Sequence, residues 1–454
     1  MKRVLSFDFL RGVAIIGVLM FHVLNFIYKS TEETVKNGTA PLGLLIVGVV
    51  LIYLGGFNGL FFMISSASNL VSVHKQWESL AAKEIPKNTA FMKVMKTQLI
   101  RGGFIWIFGW ISEGLLASLL GLATGDSLNT FGMGLINGFY FSNVLQTIGT
   151  SIIFSSLVYL IILKFDISRA RACYIFATIA IAVIVFQPLI RAALRATPWS
   201  DDFSASNITA FLSRGVGINI LLFIGAPFVG RLVPLVPYFS CAAIGAIIAV
   251  FINQKAVTPE VLQKLFAWGF IIAGIGILIG VVLNATNVQP FDIDAESCLG
   301  WFLLLLGGET SSTAWLLYMI DFRKKTRVEV FIKRTVTLRR FGLLTLTLWT
   351  LQYFMAIPVV IIELITGWPA LEGNLNEWQL LIVLGLLWLM WHLILWLWEK
   401  VNFKGSFEWM NTLLLAKGTT TGDRLKVDET LYHPERMIEW VPGKKARIKE
   451  EISS

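Results

Sequence analysis

The chain has 454 residues, 56% of them hydrophobic and only 15% charged, with 16 Trp, 33 Phe and a net charge of +9. A water-soluble domain carries about a quarter charged residues, so the composition excludes a soluble globular enzyme and requires most of the chain to meet lipid or other apolar helices. The excess of Lys and Arg then belongs to loops that fix membrane orientation, and nucleic acid is not expected as a partner.

The three cysteines, Cys173, Cys241 and Cys298, are scattered and odd in number, which implies no disulfide framework. The histidines His22, His74, His392 and His433 show neither HExxH nor paired spacing, so no metal site is expected.

In chain order, MKRVLSFDFLRGVAIIGVLMFHVLNFIY opens with a basic pair like a signal peptide. Its apolar run is too long for one, carries Asp8 and Arg11, and lacks a small-residue cleavage site, so it reads as a retained first membrane helix. Apolar segments of spanning length follow at 43–73, 102–123, 134–163, 173–190, 236–253, 265–284, 299–320, 342–366 and 378–398. Each holds the ~20 apolar residues that a ~30 Å hydrocarbon core requires. The first of these contains Gly55, Gly56 and Gly59, which predict tilt or a local break.

Residues 216–235 are apolar but interrupted by Pro227, Arg231 and Pro234. Counting them as a span would place the basic loop 321–340 outside; leaving them re-entrant or interfacial keeps that loop, 74–101, 164–172 and 254–264 inside, and the acidic loop 285–298 outside. The positive-inside rule selects the second arrangement. The expectation is therefore an all-α, polytopic membrane helix bundle of about ten transmembrane helices plus one re-entrant or interfacial segment. It occupies the cell membrane with both termini cytoplasmic. Residues 1–400 form the transmembrane domain, and 401–454 form a cytoplasmic tail that begins with an interfacial stretch around FKGSFEWMNTLLL. Asn37 and Asn207 match the glycosylation pattern, which is common by chance, and GTTTG in the tail lacks the residues of a phosphate loop.

The first helix carries the most chemistry. Asp8 and Arg11 are three residues apart, hence neighbours on one helix face. Arg11 and His22 are eleven apart, almost three whole turns, so they look the same way about 16 Å apart along the axis. Charged residues inside a membrane span are costly and mark bundle interiors or pathways. The pattern is a polar stripe with a cation near the surface and a proton acceptor deep in the membrane. Two readings fit: a site in which the His22 imidazole takes a proton from a hydroxyl or amine, and a structural Asp8–Arg11 pair with a histidine bonded to a neighbouring helix.

SFDFLRGVAIIGVLMFH resembles the opening helix of the transmembrane acyltransferase superfamily, whose acyltransferase-3 branch carries D-x-x-R-G and an Arg, ten residues, then His. Asp8, Arg11, Gly12 and His22 fit that pattern. GLFFMISSAS at 59–68 is similar to the family's F-F-x-x-S-G, with Ser65 matching and Ser66 in place of Gly, and IRGGFIWIFGW at 100–110 retains Arg101 of the third helix. VLQTIGTSII (144–153), VPLVPYFSCAAIGAIIA (233–249), LRRFGLLTLTLWTLQY (338–353) and FEWM (407–410) look like the heparan-α-glucosaminide N-acetyltransferase-like branch, with Trp349 where relatives often have Tyr.

The resemblance implies transfer of an acyl group, most simply acetyl, from cytoplasmic acyl-CoA as donor substrate to a carbohydrate-type or envelope acceptor. It implies His22 as catalytic base or acyl relay, Arg11 as an orienting group for the donor, and Asp8 as the residue that holds Arg11. Arg101, Arg339 and Arg340 are then candidates for the nucleotide end of the donor, although surface anchoring explains them equally. Ser65, Glu309 and Gln352 are candidates for the acceptor. Glu309, in LGGETSST, and Gln352 also fit plain interhelical bonding. His392, among Trp388, Trp391, Trp396 and Trp398, fits an aromatic belt. The rival function is a proton-coupled transporter or exporter of a small or lipid-linked molecule; a homodimer is compatible with either.

Overall fold

The computed structural model describes residues 3–27, 42–123, 127–139, 142–195, 215–229, 235–253, 259–285, 299–322, 325–370, 375–415 and 425–434. These residues contain helices and no strand. Eight stretches are long and apolar enough to cross a bilayer, beginning at Leu5, Leu45, Lys87, Val144, Arg169, Leu235, Glu260 and Glu377. The protein is an α-helical, multi-pass membrane protein. Asn37, Asn207, residues 286–298 of the acidic loop and GTTTG lie outside the described residues.

The helices follow in order as α1 (Leu5–Ile27), α2 (Leu42–Leu51), α3 (Gly59–Ala81), α4 (Lys87–Trp110), α5 (Ala117–Ala123), α6 (Leu128–Asn137) and α7 (Val144–Lys164). Next come α8 (Arg169–Arg195), α9 (Val216–Val229), α10 (Leu235–Ile252), α11 (Pro259–Ala285) and α12 (Leu299–Ile320). The last group is α13 (Lys325–Arg334), α14 (Val336–Leu343), α15 (Thr345–Thr350), α16 (Ala356–Thr366), α17 (Glu377–Glu399), α18 (Phe407–Leu415) and α19 (Val427–Leu431). Short π-helical turns, Ile52–Gly56 and Ile111–Leu116, precede α3 and join α4 to α5, and a 3₁₀ turn, Gln352–Met355, precedes α16. The break expected at Gly55-Gly56 is the first of these π turns.

Two expectations are revised. The loop expected at 74–101 is instead a tight hairpin, because α3 continues to Ala81 and α4 starts at Lys87 behind Pro86. The span expected at 342–366 is broken, with non-helical backbone at Leu344 (φ −110°, ψ 30°) and a further interruption at Leu351. Segment 216–235 gives α9 of 14 residues, about 21 Å long and shorter than a hydrocarbon core.

The chain forms two compact units, residues 1–60 with 329–435 and residues 61–328 with 436–454. The described part of the tail, through Pro434, thus belongs to the first unit and is not a separate piece after residue 400. In that unit α1 is the central element: Leu5, Ala14, Ile15 and Leu19 have no exposed surface. Two close crossings hold it. A methyl on Gly12 would stand 1.8 Å from the Leu338 carbonyl oxygen, and one on Gly342 would stand 2.0 Å from the Asp8 carbonyl oxygen. On its other side, Gly17 packs on Leu54 and Gly55, and a methyl on Gly55 would meet the Val18 nitrogen at 2.2 Å. Small residues let helix backbones approach in membranes, where packing supplies what hydrophobic burial cannot.

The second unit uses the same device between α4 and α7, at Gly102 and Gly149, and between α11 and α12, at Gly269, Gly276, Gly300 and Gly307. Asn143 and Gln146 form a capping box at the start of α7 and also donate to the carbonyls of Gly109 and Gly138.

Gly12→Ala forces α1 and α14 apart at backbone atoms that have no rotamer to change. Overpacking of this kind costs about 1–3 kcal/mol or more. The thermal unfolding midpoint in detergent should fall markedly for Gly12→Ala, while Gly103→Ala, whose methyl meets nothing within 4 Å, should leave it unchanged.

Candidate functional site

On α1, Asp8 is 8% exposed. Its carboxylate accepts from Arg3 Nη1 at 3.3 Å and pairs with Arg11 Nη1 at 3.7 Å. Asp8 therefore serves two cations, and the shorter contact is with Arg3, a partner that the i,i+3 spacing alone does not reveal. The Arg11 side chain keeps 26% of its surface exposed.

Three turns on, His22 is exposed. Its Nδ1 lies 2.5 Å from Gln352 Oε1, and because an amide oxygen can only accept, Nδ1 donates. The neutral ring then carries its lone pair on Nε2. The Trp349 ring stands edge-on to the imidazole at 6.1 Å and 82°. Trp349 and Gln352 are themselves buried, which fixes the orientation of the ring they hold.

The segment that supports His22 is α15 with the following 3₁₀ turn, and it is braced from the tail. Glu408 on α18 accepts from the backbone nitrogens of Leu346 at 2.5 Å and Thr347 at 3.2 Å, and from Thr347 Oγ1 at 2.5 Å. The Thr347 hydroxyl accepts in turn from Phe407 N at 2.8 Å. A side chain from sixty residues away thus satisfies backbone donors that a fresh helix start leaves open, which is why the expected 342–366 span can break at Leu344. Glu408 also lies within electrostatic reach of Arg11. One end of α15 faces His22 and the other is held by a carboxylate near Arg11, so both groups of α1 border the same short helix.

Arg339 and Arg340 are not surface cations as expected; they are 1% and 3% exposed. Arg339 donates to the backbone carbonyls of Thr430 at 3.1 Å, Ile332 at 3.0 Å and Leu431. Burial lowers its proton affinity below the usual arginine value. Arg340 pairs with Glu399 at 2.5 Å, and Tyr432 donates to the same carboxylate at 2.6 Å. Burial, and then Glu399, raise the Tyr432 phenol. In this structure the arginine pair binds the chain's own tail, so the expectation that it faces a nucleotide from the surface is revised.

The remaining site candidates lie in the second unit. Ser65 is half-buried on α3. Glu309 is 1% exposed on α12; its neighbour Thr310 donates back to the Leu306 carbonyl of the same helix at 2.7 Å, whereas Ser311 donates to the Phe266 carbonyl of α11 at 3.0 Å and so ties two helices together. His392, which belongs to the first unit, stacks on Trp388 at 5.7 Å and 9°.

Arg101 on α4 is different. Its Nη1 donates to Asn69 Oδ1 at 2.7 Å, and Asn69 Nδ2 donates to Ser156 Oγ at 2.8 Å. Among the described residues no carboxylate comes within ion-pair distance of it. One turn earlier Gln98 has no exposed surface, and neither of its amide atoms finds a partner. A guanidinium in a spanning helix with only amide and hydroxyl company is suited to an anionic group. Asn69 and Gln98 went unremarked in the sequence, although Gln98 stands at i−3 from Arg101.

No family model, curated protein or solved structure matches the chain. The acyltransferase resemblance therefore stands on its motif residues alone.

Burial holds the Glu408 carboxyl up to about 6 from an ordinary 4.5. The raised value means that ionisation opposes folding. Nothing is lost below about pH 4.5, where folded and unfolded carboxyls are both protonated, and the full penalty of about 2 kcal/mol is reached above pH 6. The stability of Glu408→Gln relative to the native protein should therefore rise by about that amount between pH 4.5 and pH 7, as read from unfolding midpoints. A difference that stays flat with pH contradicts the assignment.

Proposed function

We propose that this protein is an integral membrane acyltransferase that moves an acyl group, most simply acetyl, from acyl-CoA to a carbohydrate-type or envelope acceptor. The observation that carries the reading is the His22–Gln352 contact, which holds the imidazole with Nε2 as its basic nitrogen on the helix that also bears Asp8 and Arg11. In this reading His22 Nε2 takes the proton of the acceptor hydroxyl or amine as that group attacks the thioester carbonyl. The tetrahedral adduct then breaks its C–S bond, and the CoA thiolate leaves with the proton from His22. The acceptor is acylated, CoA departs as the thiol, and the imidazole returns neutral.

Arg11, half-exposed beside Asp8, suits a phosphate or the thioester end of the donor, since a guanidinium donates in two parallel bonds. Arg101, in the second unit and with no carboxylate partner among the described residues, is by itself suited to an anionic group. Gln352 becomes a positioning residue, because its place in the structure is on the imidazole. In this reading the protein lies in the cell membrane with both termini cytoplasmic, and the donor enters from that side.

The interrupted helices favour a second reading. The π turns at Ile52–Gly56 and Ile111–Leu116 and the broken run from Val336 to Thr366 are the kind of discontinuity found at transporter binding sites. A carrier would use His22 as a proton acceptor in substrate exchange.

Purified protein in liposomes with radiolabelled acetyl-CoA and envelope glycans separates the two. The expected result is label transfer with CoA release. His22→Ala should lower the rate by about 10²-fold or more, the usual worth of a general base. Gln352→Leu should lower kcat by about tenfold with KM for acetyl-CoA preserved, the scale of one buried hydrogen bond. Normal transfer by a well-folded His22→Ala protein sinks the enzyme, and coupled uptake without CoA release supports the carrier.

A further inference from the structure

The second unit holds a chain of polar side chains that acyl transfer does not require. His74, on the last turns of α3, places Nδ1 3.1 Å from the Tyr159 hydroxyl of α7 and Nε2 3.3 Å from the Glu78 carboxylate of its own helix. Asn253, just past the end of α10, donates Nδ2 to the same Tyr159 hydroxyl at 3.2 Å. Glu78 is open to solvent, with 65% of its side chain exposed, whereas Tyr159 is 3% exposed.

Donor logic orders this chain. The Asn253 amide nitrogen can only donate, so the Tyr159 oxygen accepts from it and turns its own proton toward His74. The Glu78 carboxylate can only accept, so the single ring proton of the neutral imidazole sits on Nε2 facing it, and Nδ1 accepts from Tyr159. Every bond runs one way, from Asn253 through Tyr159 and His74 to Glu78.

We propose that these four residues form a proton-binding site in which one proton taken from solvent reverses the direction of the chain. The proton adds at Nδ1, the one ring nitrogen with a lone pair. The imidazolium then donates on both sides, to Glu78 and to Tyr159. Tyr159 can no longer send its proton to His74 and must find another acceptor. Asn253 supplies one: its Oδ1 is buried and has no hydrogen-bond partner among the described residues, and rotation of the amide brings that oxygen to the phenol. Each member can serve in either direction, and the ion pair with Glu78 compensates the added charge. The charged and titratable groups around the ring are Glu78 on its own helix, Tyr159 on α7, and Arg169 and Cys173 at the start of α8. Because His74–Tyr159 joins α3 to α7 and Tyr159–Asn253 joins α7 to the end of α10, proton binding changes bonds between three helices.

The test uses the full-length protein in micelles with isotopically labelled histidine nitrogens and tyrosine ζ carbons. Only four histidines are present, so His74 is assigned by its loss in His74→Gln. At high pH its spectrum should show the Nε2–H tautomer with a hydrogen-bonded Nδ1. On acidification both nitrogens should become protonated, and the Tyr159 ζ carbon should shift with the same midpoint. In His74→Gln the Tyr159 response should vanish. In Tyr159→Phe, which keeps the ring for packing, the hydrogen-bonded signature of Nδ1 should be lost. An Nδ1–H tautomer, a Tyr159 signal blind to His74, or an Nδ1 signal unmoved by Tyr159→Phe overturns the proposal. None of these readouts depends on acyl transfer, so the site and the enzyme can fail separately.

Discussion

The first unit depends on a contact between two backbones. Gly12 on α1 lies against the Leu338 carbonyl, and Gly342 on α14 lies against the Asp8 carbonyl. Each glycine occupies the one position where the opposite helix leaves no room for a side chain, so the contact is reciprocal. The residues just before the two glycines inherit their positions from it. Arg11 precedes Gly12, and Arg339 and Arg340 precede Gly342 by three and two residues. The Arg-Gly and Arg-Arg-Phe-Gly sequences therefore each join a packing glycine to a cation whose place that glycine sets. The second clamp, Gly17 against Leu54 and Gly55, keeps α1 from turning about its axis, and with α1 so held His22 presents a constant edge to Trp349 and Gln352.

Burying charge in an apolar bundle is costly unless donors and acceptors are matched, and the cations of this chain fall into two groups on that criterion. Arg339 and Arg340 are almost fully enclosed and meet carbonyl oxygens or a carboxylate from the chain itself. Such groups hold structure together: they tie Glu399 and residues 430–432 to α14 and make the described part of the tail an integral part of the first unit. Arg11 and Arg101 are matched less completely. Arg11 shares its single carboxylate with Arg3, and Arg101 has an amide in place of an acid. Incomplete pairing leaves electrostatic capacity for an outside anion, and that distinction says more about function than the number of basic residues does.

The membrane character, the helical class and the position of most spans are legible in hydropathy, because a run of some twenty apolar residues has few alternatives. The shared outlook of Arg11 and His22 is also legible, from helical spacing alone. What was hidden depends on residues distant in sequence. Nothing near Leu344 announces that α14 stops there, since the group that satisfies the next helix start is Glu408. Basic residues in a loop-like context look like membrane anchors until Thr430, Leu431 and Glu399 are seen around them. Hydropathy also placed a loop at 74–101, because it registers the loss of apolar side chains and not the persistence of helix beyond the bilayer.

The two histidines that matter most show how far a partner can decide what a residue does. His22 faces an amide oxygen, which can only accept, so its proton is held on Nδ1 and the basic nitrogen is Nε2. His74 faces a carboxylate at Nε2, which likewise can only accept, so its proton is held on Nε2 and the basic nitrogen is Nδ1. The rings have opposite tautomers for the same reason, namely that each partner has only one hydrogen-bonding role left. His22 thereby directs its lone pair away from its support, as a base acting on an outside group must. His74 directs its lone pair into a closed chain, where a proton changes bonding between helices instead of reaching a substrate. Composition and spacing treat these residues alike, and only the donor–acceptor count around each ring separates the proposed base from the proposed switch.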